Sequence, residues 1–435
     1  MVRTTGKHTL IRGSRVLCGT LAAALLWGTP PAFADKKENT LLVWAGDQDH
    51  QAPDFVAVVD FDPRSSSYGK VLRTVPLSGT SAVRNEPHHV GLSSDGKTLA
   101  LGGLLSILNG NDEVFFFDVT DPRNPTFLDS DDPPNASITD EFAALKNGGF
   151  LATFMGGANG AHPGRVVEYD ADLKRLQEWP LNPPTDGFNP HGISLNEAKN
   201  IMVTGDFICP LLTLHIDGGH KAHLRGSIRV WDLAARTITR TILVGDPASP
   251  AGTMEVQLIP KDSRLRAFTA GMADGKLYLV DTQNGTATAV FDFSSFAVPN
   301  VQEIWPQIIR INKKGTRLFI TLNYAGAAGK VVMFDISRPE QPKVLSVVDL
   351  GPGSGPHYLG LTRDEKRLVV TDYFLVEDLA QGGIVQAEGD HKIHVLNVHG
   401  ERLERDAKFD LDFNRDISTG AARPHGVVLL RAPND

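Results

Sequence analysis

Short apolar segments separated by polar turns run along most of the chain, and long helical patterns are not evident. One clear unit starts at Pro87-His88-His89-Val90-Gly91-Leu92, crosses a Ser-Asp-Gly turn into residues 97–102, and continues through residues 114–118 to Phe127-Leu128. This unit of four short strands recurs roughly every 50 to 70 residues, which is typical of the blades of a β-propeller.

The first strand of each unit opens on a recognisable residue pair, and seven openings can be followed. They are Pro87-His88, Thr139-Asp140, Pro190-His191, Met254-Glu255, Pro306-Gln307, Pro356-His357 and Pro424-His425. The third strands end in a turn-forming aspartate, as at residues 166–170, 228–232, 277–281 and 331–335, with a looser last copy at 392–398. The pattern predicts an all-β, seven-bladed propeller; a pair of β-sandwiches with coincidental spacing is the alternative.

The two ends of the chain complement each other. Only one strand, residues 426–430, follows the last opening, whereas three strands at residues 40–45, 55–61 and 71–75 precede the first full unit. One strand plus three makes a blade. We therefore expect the N-terminal strands to pair with the C-terminal strand, which closes the ring and covers its free edges.

Residues 1–34 have the features of a signal peptide. Basic residues precede the apolar run 16–27, and Ala32-Phe33-Ala34 supplies a cleavage site. We expect an exported protein, periplasmic or secreted, with no stable membrane insertion and a single propeller domain at residues 35–435. Cleavage would leave Cys209 as the only cysteine, which excludes an intramolecular disulfide and a cysteine-only zinc site.

The composition is that of an ordinary globular protein, with 41% hydrophobic and 22% charged residues. The formal net charge is −8, and no basic run follows the N-terminal segment. Sequence-independent binding of nucleic acid requires clustered Lys and Arg, so no nucleic-acid partner is expected.

The candidate chemistry lies where the inner strands begin, because the first strand of each propeller blade lines the central channel. The seven openings contribute His88, His191, His357, His425, Asp140, Glu255 and Gln307. We predict that the four histidines are metal ligands. His89 is a further candidate, although side chains alternate along a strand and only one of two neighbours should face the channel squarely.

Imidazole nitrogen suits several transition metals, and affinity in the divalent series rises toward copper. Copper is therefore the predicted cofactor, with zinc as the less favoured choice. Asp140 and Glu255 are the candidate catalytic carboxylates. For Glu255 the options are a metal ligand, a general base, or an acceptor that fixes a histidine tautomer.

The other histidines receive different interpretations. His215, His220 and His223 fall in a Gly-containing segment, which we predict to be a solvated loop, with a role in capping the channel or binding metal weakly as the alternative. The histidines near the seventh third strand, His391, His394 and His399, are predicted to be surface residues away from the axis. Residues 376–390 are a similar insertion of unknown role.

Several segments resemble the selenium-binding protein family, which includes the copper-dependent methanethiol oxidases. They are residues 54–63, 86–91, 226–232, 254–256 and 334–339, together with Pro356-His357. The resemblance implies a histidine-rich copper site. In the oxidase branch it also implies conversion of methanethiol with O2 and water to formaldehyde, hydrogen sulfide and hydrogen peroxide.

The chain departs from the family pattern at three places. Ser93-Ser94-Asp95 replaces the cysteine pair linked to selenium, residues 139–142 replace a histidine-rich stretch, and the cysteine-containing tail is missing. Selenium binding through cysteine is thus not expected, and oxidation of a small-molecule thiol is the favoured function. The alternatives are a metal-free propeller hydrolase resembling a sugar lactonase, and a non-catalytic binding scaffold. The sequence leaves the oligomeric state open.

Overall fold

The structure of the protein is a computed structural model that describes residues 38–213, 223–297, 303–324, 327–375 and 388–432. The predicted signal peptide lies outside these ranges, as do His215, His220 and most of the insertion at residues 376–390. Among the described residues, seven antiparallel sheets have four or five strands each, and each innermost strand contacts that of the next sheet until the last contacts the first. The predicted seven-bladed β-propeller is therefore confirmed.

Each blade contains four main strands, which are named in order from the innermost outwards. Blade 1 has Pro87–Leu92, Thr98–Gly103, Val114–Asp118 and Thr126–Asp131; blade 2 has Ser137–Ala144, Phe150–Gly156, Arg165–Tyr169 and Arg175–Trp179. Blade 3 has Pro190–Asn196, Ile201–Ile208, Leu224–Asp232 and Thr237–Leu243; blade 4 has Thr253–Leu258, Arg266–Gly271, Lys276–Asp281 and Thr286–Asp292. Blade 5 has Trp305–Ile311, Arg317–Asn323, Ala328–Asp335 and Lys343–Pro352; blade 6 has Leu359–Leu361, Arg367–Thr371, Lys392–His399 and Arg402–Arg405. Blade 7 has Ala422–Leu430, Thr40–Asp47, Phe55–Asp60 and Val71–Pro76.

The remaining elements are short. One α-helix spans Pro210–Thr213, and 3-10 helices span Ser106–Asn109, Glu197–Lys199 and Phe293–Phe296. Gly245–Asp246 pairs with Ser249–Pro250, and Leu411–Asp412 adds a fifth strand to blade 6. None of the helices in the described part of the chain has the length and apolar composition that crossing a membrane requires.

Blade 7 closes the ring as the sequence predicts. Its inner strand comes from the C-terminus and pairs antiparallel with the N-terminal strand, with Val43 opposite Val427 and Leu41 opposite Leu429. The Trp44 indole N–H donates to the carbonyl oxygen of Gly102, 2.8 Å away, and so ties blade 7 to blade 1. The pairing of the C-terminal strand with the N-terminal strand covers two strand edges that would otherwise be exposed.

The aspartates that end the third strands form turns, as predicted. Asp118 accepts a hydrogen bond from the backbone N–H of Thr120 at 2.8 Å, and Asp335 accepts one from Ser337 at 2.9 Å. Such bonds to the backbone two residues ahead stabilise a tight turn. They orient the chain for the outer strand of the same blade.

The inner strands all begin at one face of the ring, because each full blade is an antiparallel meander that starts with its innermost strand. The same face carries the connections between second and third strands, such as residues 104–113 in blade 1. We call it the entry face. The residues that open the inner strands therefore meet at this mouth of the central channel.

Candidate metal centre

A β-bulge recurs at the start of the inner strand in blades 1 to 5. In blade 1 the pairing passes from Pro87 opposite Gly103 to Val90 opposite Leu101, so the inner strand has one extra residue. Equivalent shifts lie at Thr139/Phe142, Pro190/Ile193, Thr253/Val256 and Pro306/Ile309. A bulge leaves two residues opposite one and re-aims their side chains. Each of these bulges contains at least one of the predicted site residues, and the bulge of blade 1 contains both His88 and His89.

His88 and His89 both contribute to the site, which corrects the expectation that only one of them faces the channel. Their rings are stacked, with centroids 4.4 Å apart and planes inclined by 4°. The centroids of His88 and His89 lie 4.0 and 5.6 Å from that of His425. The bulge removes the strict alternation of a regular strand, and the hydrophobic pattern carries no sign of it.

Buried threonines of the second strands support the bulges. Thr153 Oγ1 accepts the Glu141 N–H at 3.0 Å, and Thr321 Oγ1 accepts the Ile308 N–H at 3.2 Å. Thr321 also donates to the carbonyl oxygen of His357, at 2.8 Å. Thr153 and Thr321 occupy the same position, opposite the bulge, in blades 2 and 5. The predicted site does not include them.

Glycines directly after two histidines allow neighbouring inner strands to approach closely. A Cβ atom on Gly192 would lie 2.8 Å from the backbone nitrogen of Val256, and one on Gly426 would lie 2.7 Å from the carbonyl oxygen of His88. Neither backbone atom can move without shifting its strand. The glycines therefore help to bring the histidines of different blades together.

Four imidazoles form the centre of the site. One ring nitrogen from each of His88, His89, His357 and His425 lies within 4.8 Å of the others, and all four side chains are buried. The Nε2 atoms of His89 and His357 are 3.1 Å apart. Because metal–nitrogen bonds of about 2 Å hold ligating nitrogens roughly 3 Å from one another, this spacing suits coordination of one ion.

Acceptors behind two of these rings fix their orientation. The Nδ1 atom of His89 lies 3.0 Å from both Asp140 Oδ1 and Glu141 Oε2. The Nδ1 atom of His357 is hydrogen-bonded to Oε1 of Gln307, which can only accept. The Nδ1 atom of His357 therefore carries its proton, and the two carboxylates favour positive charge on the His89 ring. Metal-ligating histidines are commonly held in this way, with the other nitrogen left for the metal.

Unpartnered nitrogens provide a test of whether the site fits a metal. Among the described residues, neither ring nitrogen of His425 nor Nδ1 of His88 has a hydrogen-bond partner. Buried polar atoms in proteins are nearly always satisfied. A transition-metal ion that accepts imidazole nitrogen would satisfy such atoms, so the donor set fits copper, the metal implied by the family resemblance.

The protonation of the rings differs across the site. Burial lowers the pKa of His88, His357 and His425 well below its usual range, and neighbouring histidines add to this effect. Burial also acts against protonation of His89, but the carboxylates of Asp140 and Glu141 overcome it and raise the pKa to about 10. In the metal-free protein a proton on His89 Nε2 therefore bridges to His357 Nε2.

His191 lies beside this group of four and belongs to a second one. Its Nε2 atom is 3.0 Å from Oδ2 of Asp140, and the same oxygen is 3.5 Å from Nε2 of His88. Burial lowers the pKa of His191 to about 4, although Asp140 opposes the shift. Asp140 is itself buried, but the three surrounding imidazoles hold its pKa well below the usual value.

Glu255 is not among the grouped ligand atoms and instead pairs with Arg310, whose Nη1 lies 3.4 Å from Glu255 Oε2. The Nη2 atom of Arg310 lies 3.6 Å from Glu141 Oε1. Burial raises the pKa of Glu255 to about 8, with repulsion from Glu141 adding to the shift. Arg310 and Glu141 were not predicted as site residues, because no local pattern distinguishes them from surface charges.

Apolar side chains surround the site on the entry face. The ring centroid of Phe207 is 5.2 Å from that of His191, and Phe374 is 4.7 Å from His357. Both belong to a buried cluster, which we call the apolar collar. Its members are Leu104, Leu105, Ile138, Met155, Phe207, Leu224, Met254, Met272, Trp305, Phe374 and Leu375.

Two of the remaining histidines are buried, which corrects their prediction as surface residues. His391 and His394 are 2% and 3% exposed, whereas His399 is exposed as expected. His394 Nε2 lies 3.1 Å from Asp372 Oδ2, and its Nδ1 contacts the Arg405 guanidinium at 2.6 Å. His394 thus fills a satisfied polar network within blade 6. The prediction of a surface position rested on the distance of this strand from the axis.

The fold and the site together define a β-propeller with an imidazole-rich centre in its channel. Residues 27–431 match the model of the family described as 56kDa selenium binding protein, and the chain belongs to this family. It is 26% identical to a methanethiol oxidase of Hyphomicrobium over 96% of this chain and 93% of that protein. It is 23% identical to selenium-binding protein 2 of mouse over 87% and 82% of the two chains.

Solved structures show the same architecture. A hypothetical selenium-binding protein from Sulfolobus tokodaii superposes with a TM-score of 0.72 and 20% identity, covering 92% of this chain and 96% of that one. A periplasmic gluconolactonase of Pseudomonas aeruginosa superposes with a TM-score of 0.64 and 12% identity, covering 91% and 99%. At these identities the likeness concerns the fold alone.

Proposed function

We propose that this protein binds copper through His88, His89, His357 and His425 and uses it to oxidise a small thiol with O2. The observation that carries the proposal is the group of four ring nitrogens within 4.8 Å of one another, contributed by three separate blades. A propeller core does not need buried imidazoles for its stability. Their grouping is best explained by a common ligand.

The choice of copper rests on the donor set. Four imidazole nitrogens without a thiolate favour the later members of the divalent series, among which copper binds most tightly. Zinc is the next choice. Bound copper would supply one-electron chemistry with a thiolate and O2, which zinc does not.

The residues of the chain contribute positions and protons. Asp140 and Glu141 hold the Nδ1 proton of His89, and Gln307 holds that of His357, so both rings direct Nε2 toward the centre. The apolar collar limits water at the site and offers a surface for the hydrocarbon part of a small thiol. Glu255 and Arg310 lie beyond Glu141, where they set the charge around His89.

Thiol oxidation is supported by the names of relatives. Proteins called methanethiol oxidase match this chain in Hyphomicrobium, at 26% identity, and in Ruegeria pomeroyi, at 26% identity over 74% of this chain. Export is supported by the sequence of residues 1–34 and by the single remaining cysteine, Cys209. The proposed location is the periplasm or the medium.

The proposal is tested on protein purified from the exported fraction without added metal. We expect elemental analysis to find copper, and we expect consumption of methanethiol with O2 that a chelator abolishes. His357→Ala and His425→Ala should lose both properties, while His399→Ala, an exposed control, should keep them. Copper-free protein that hydrolyses a sugar lactone after chelation would instead establish the metal-free alternative.

A further inference from the structure

A second group of ligand atoms adjoins the four imidazoles. Nε2 of His191, a carboxylate oxygen of Asp140 and a ring nitrogen of His88 lie within 4.8 Å of one another. His191 is not part of the group of four, although it opens an inner strand as the others do. His88 belongs to both groups: its Nε2 faces Asp140, while its Nδ1 has no hydrogen-bond partner among the described residues. To serve an ion in each group at once, His88 would give up its remaining ring proton and bind one ion through each nitrogen.

The distances in this second group match those between ligands of one ion. Asp140 Oδ2 lies 3.0 Å from His191 Nε2 and 3.5 Å from His88 Nε2. Metal–ligand bonds of about 2.0–2.2 Å place ligand atoms roughly 3 Å apart. Two imidazoles and one carboxylate, with further positions open, form a recognised donor set for iron(II) and related divalent ions.

Burial also fits a cation. The three side chains are 0–2% exposed, and among the described residues neither carboxylate oxygen of Asp140 has a hydrogen-bond partner. A buried carboxylate needs positive charge or hydrogen bonds nearby.

We propose that His191, Asp140 and His88 hold a second divalent transition-metal ion next to the proposed copper ion, so that the channel contains a two-metal centre. The inference rests on the proposed function, since it shares His88 with that site. The proposal gives His191 and Asp140 the role of metal ligands, rather than that of residues that only position the four imidazoles. In the competing interpretation, Asp140 only accepts hydrogen bonds from His89 and His191.

The experiment counts ions. Full-length protein is stripped of metal and incubated with excess Cu(II), loosely bound ions are removed with a weak chelator, and copper per chain is measured. His191→Gln is the decisive variant, because the amide preserves a hydrogen bond to Asp140 while removing the imidazole. Asp140→Asn is the second variant, His399→Ala is the control, and thermal melting verifies that each one folds.

We expect two copper ions per chain in the unmodified protein and in His399→Ala, and one in His191→Gln and Asp140→Asn. In crystals of the loaded protein, anomalous scattering at the copper edge should give two peaks in the channel. One ion per chain, retained by His191→Gln, would overturn the second site and leave the proposed function intact. Binding of no copper by the unmodified protein would overturn both.

Discussion

The Nε2 atoms of His89 and His357 lie 3.1 Å apart in the channel, although 268 residues separate them in the chain. Each ring is anchored at its other nitrogen, His89 by two carboxylates and His357 by an amide oxygen. With the neutral rings protonated at these anchored nitrogens, neither Nε2 atom would have a proton to donate. A hydrogen bond between the two Nε2 atoms therefore needs one additional proton, which makes His89 a cation. A metal that binds here must replace the proton.

Copper binding should accordingly release about one proton per ion at neutral pH, because His89 has a pKa of about 10 in the metal-free protein. The apparent affinity should rise about tenfold per pH unit between pH 7 and 9. Competition against a chelator of known proton dependence measures the affinity, and a weakly buffered indicator measures the proton. An affinity independent of pH in this range would contradict the bridging proton.

Replacing Gln307 should weaken copper binding without removing a ligand. Gln307→Leu deletes the acceptor of the His357 Nδ1 proton, so the ring loses its fixed tautomer. We expect a loss of about 10- to 100-fold in copper affinity, as for other partners behind a metal ligand. Gln283→Leu, on the exposed surface of blade 4, is the matched control and should bind copper as the unmodified protein does.

Arg310 should stabilise the fold by neutralising the buried carboxylate of Glu141. Arg310→Gln leaves Glu141 without its cation, which should cost about 3 kcal/mol of unfolding free energy at neutral pH. Urea denaturation of the metal-free protein measures this difference. Arg310→Lys should recover part of it, and Arg317→Gln, whose pairs are more exposed, should change stability by about 0.5 kcal/mol or less. Equal effects at both arginines would contradict this role.

The metal-free protein should be most stable near neutral pH. His88, His191, His357 and His425 have pKa values below 6.5 when folded, so the unfolded chain binds more protons and stability falls as the pH drops below about 6.5. His89 has the opposite shift, and its contribution is lost as the pH rises from about 6.5 toward 10. A tenfold change in the proton affinity of one histidine on folding corresponds to about 1.4 kcal/mol of stability.

Urea denaturation between pH 4.5 and 9.5 measures the free energy of unfolding on both the acid and the alkaline side of the expected maximum. In His357→Ala one neutral imidazole is gone, so the decline on the acid side should be shallower than in the unmodified protein. His399→Ala should leave the profile unchanged because that side chain is exposed. A profile that is flat from pH 4.5 to 7 would rule out the buried neutral histidines.

Closure of the ring should depend on the strand contributed by the C-terminus. Val427 is 3% exposed and pairs with Val43, so Val427→Ala should destabilise the protein by about 2 kcal/mol. Val347→Ala, on an outer strand where the side chain is 39% exposed, should cost about 0.5 kcal/mol or less. Similar losses for the two variants, measured by urea denaturation, would mean that this pairing adds little to stability.

The repeat unit was sufficient to predict the architecture. Strand openings, terminal aspartates and the unequal ends of the chain are local patterns, and each predicts its own strand or turn. The inner strands depart from the prediction in blade 7, where the strand begins earlier, at Ala422, and in blade 6, where it begins at Leu359 and His357 precedes it. His357 is still held, because its N–H donates to the carbonyl oxygen of Thr371 at 3.0 Å.

The sequence by itself determined which residues stand at the mouth of the channel, because strand order in a propeller follows from chain order. Only the tertiary structure decided how they are grouped: the bulges aim both His88 and His89 at the centre, and Asp140 draws His191 into a separate group. Arg310 and Glu141 joined the site only when neighbouring blades met. These contacts depend on distances between strands of different blades, which hydrophobic periodicity does not encode.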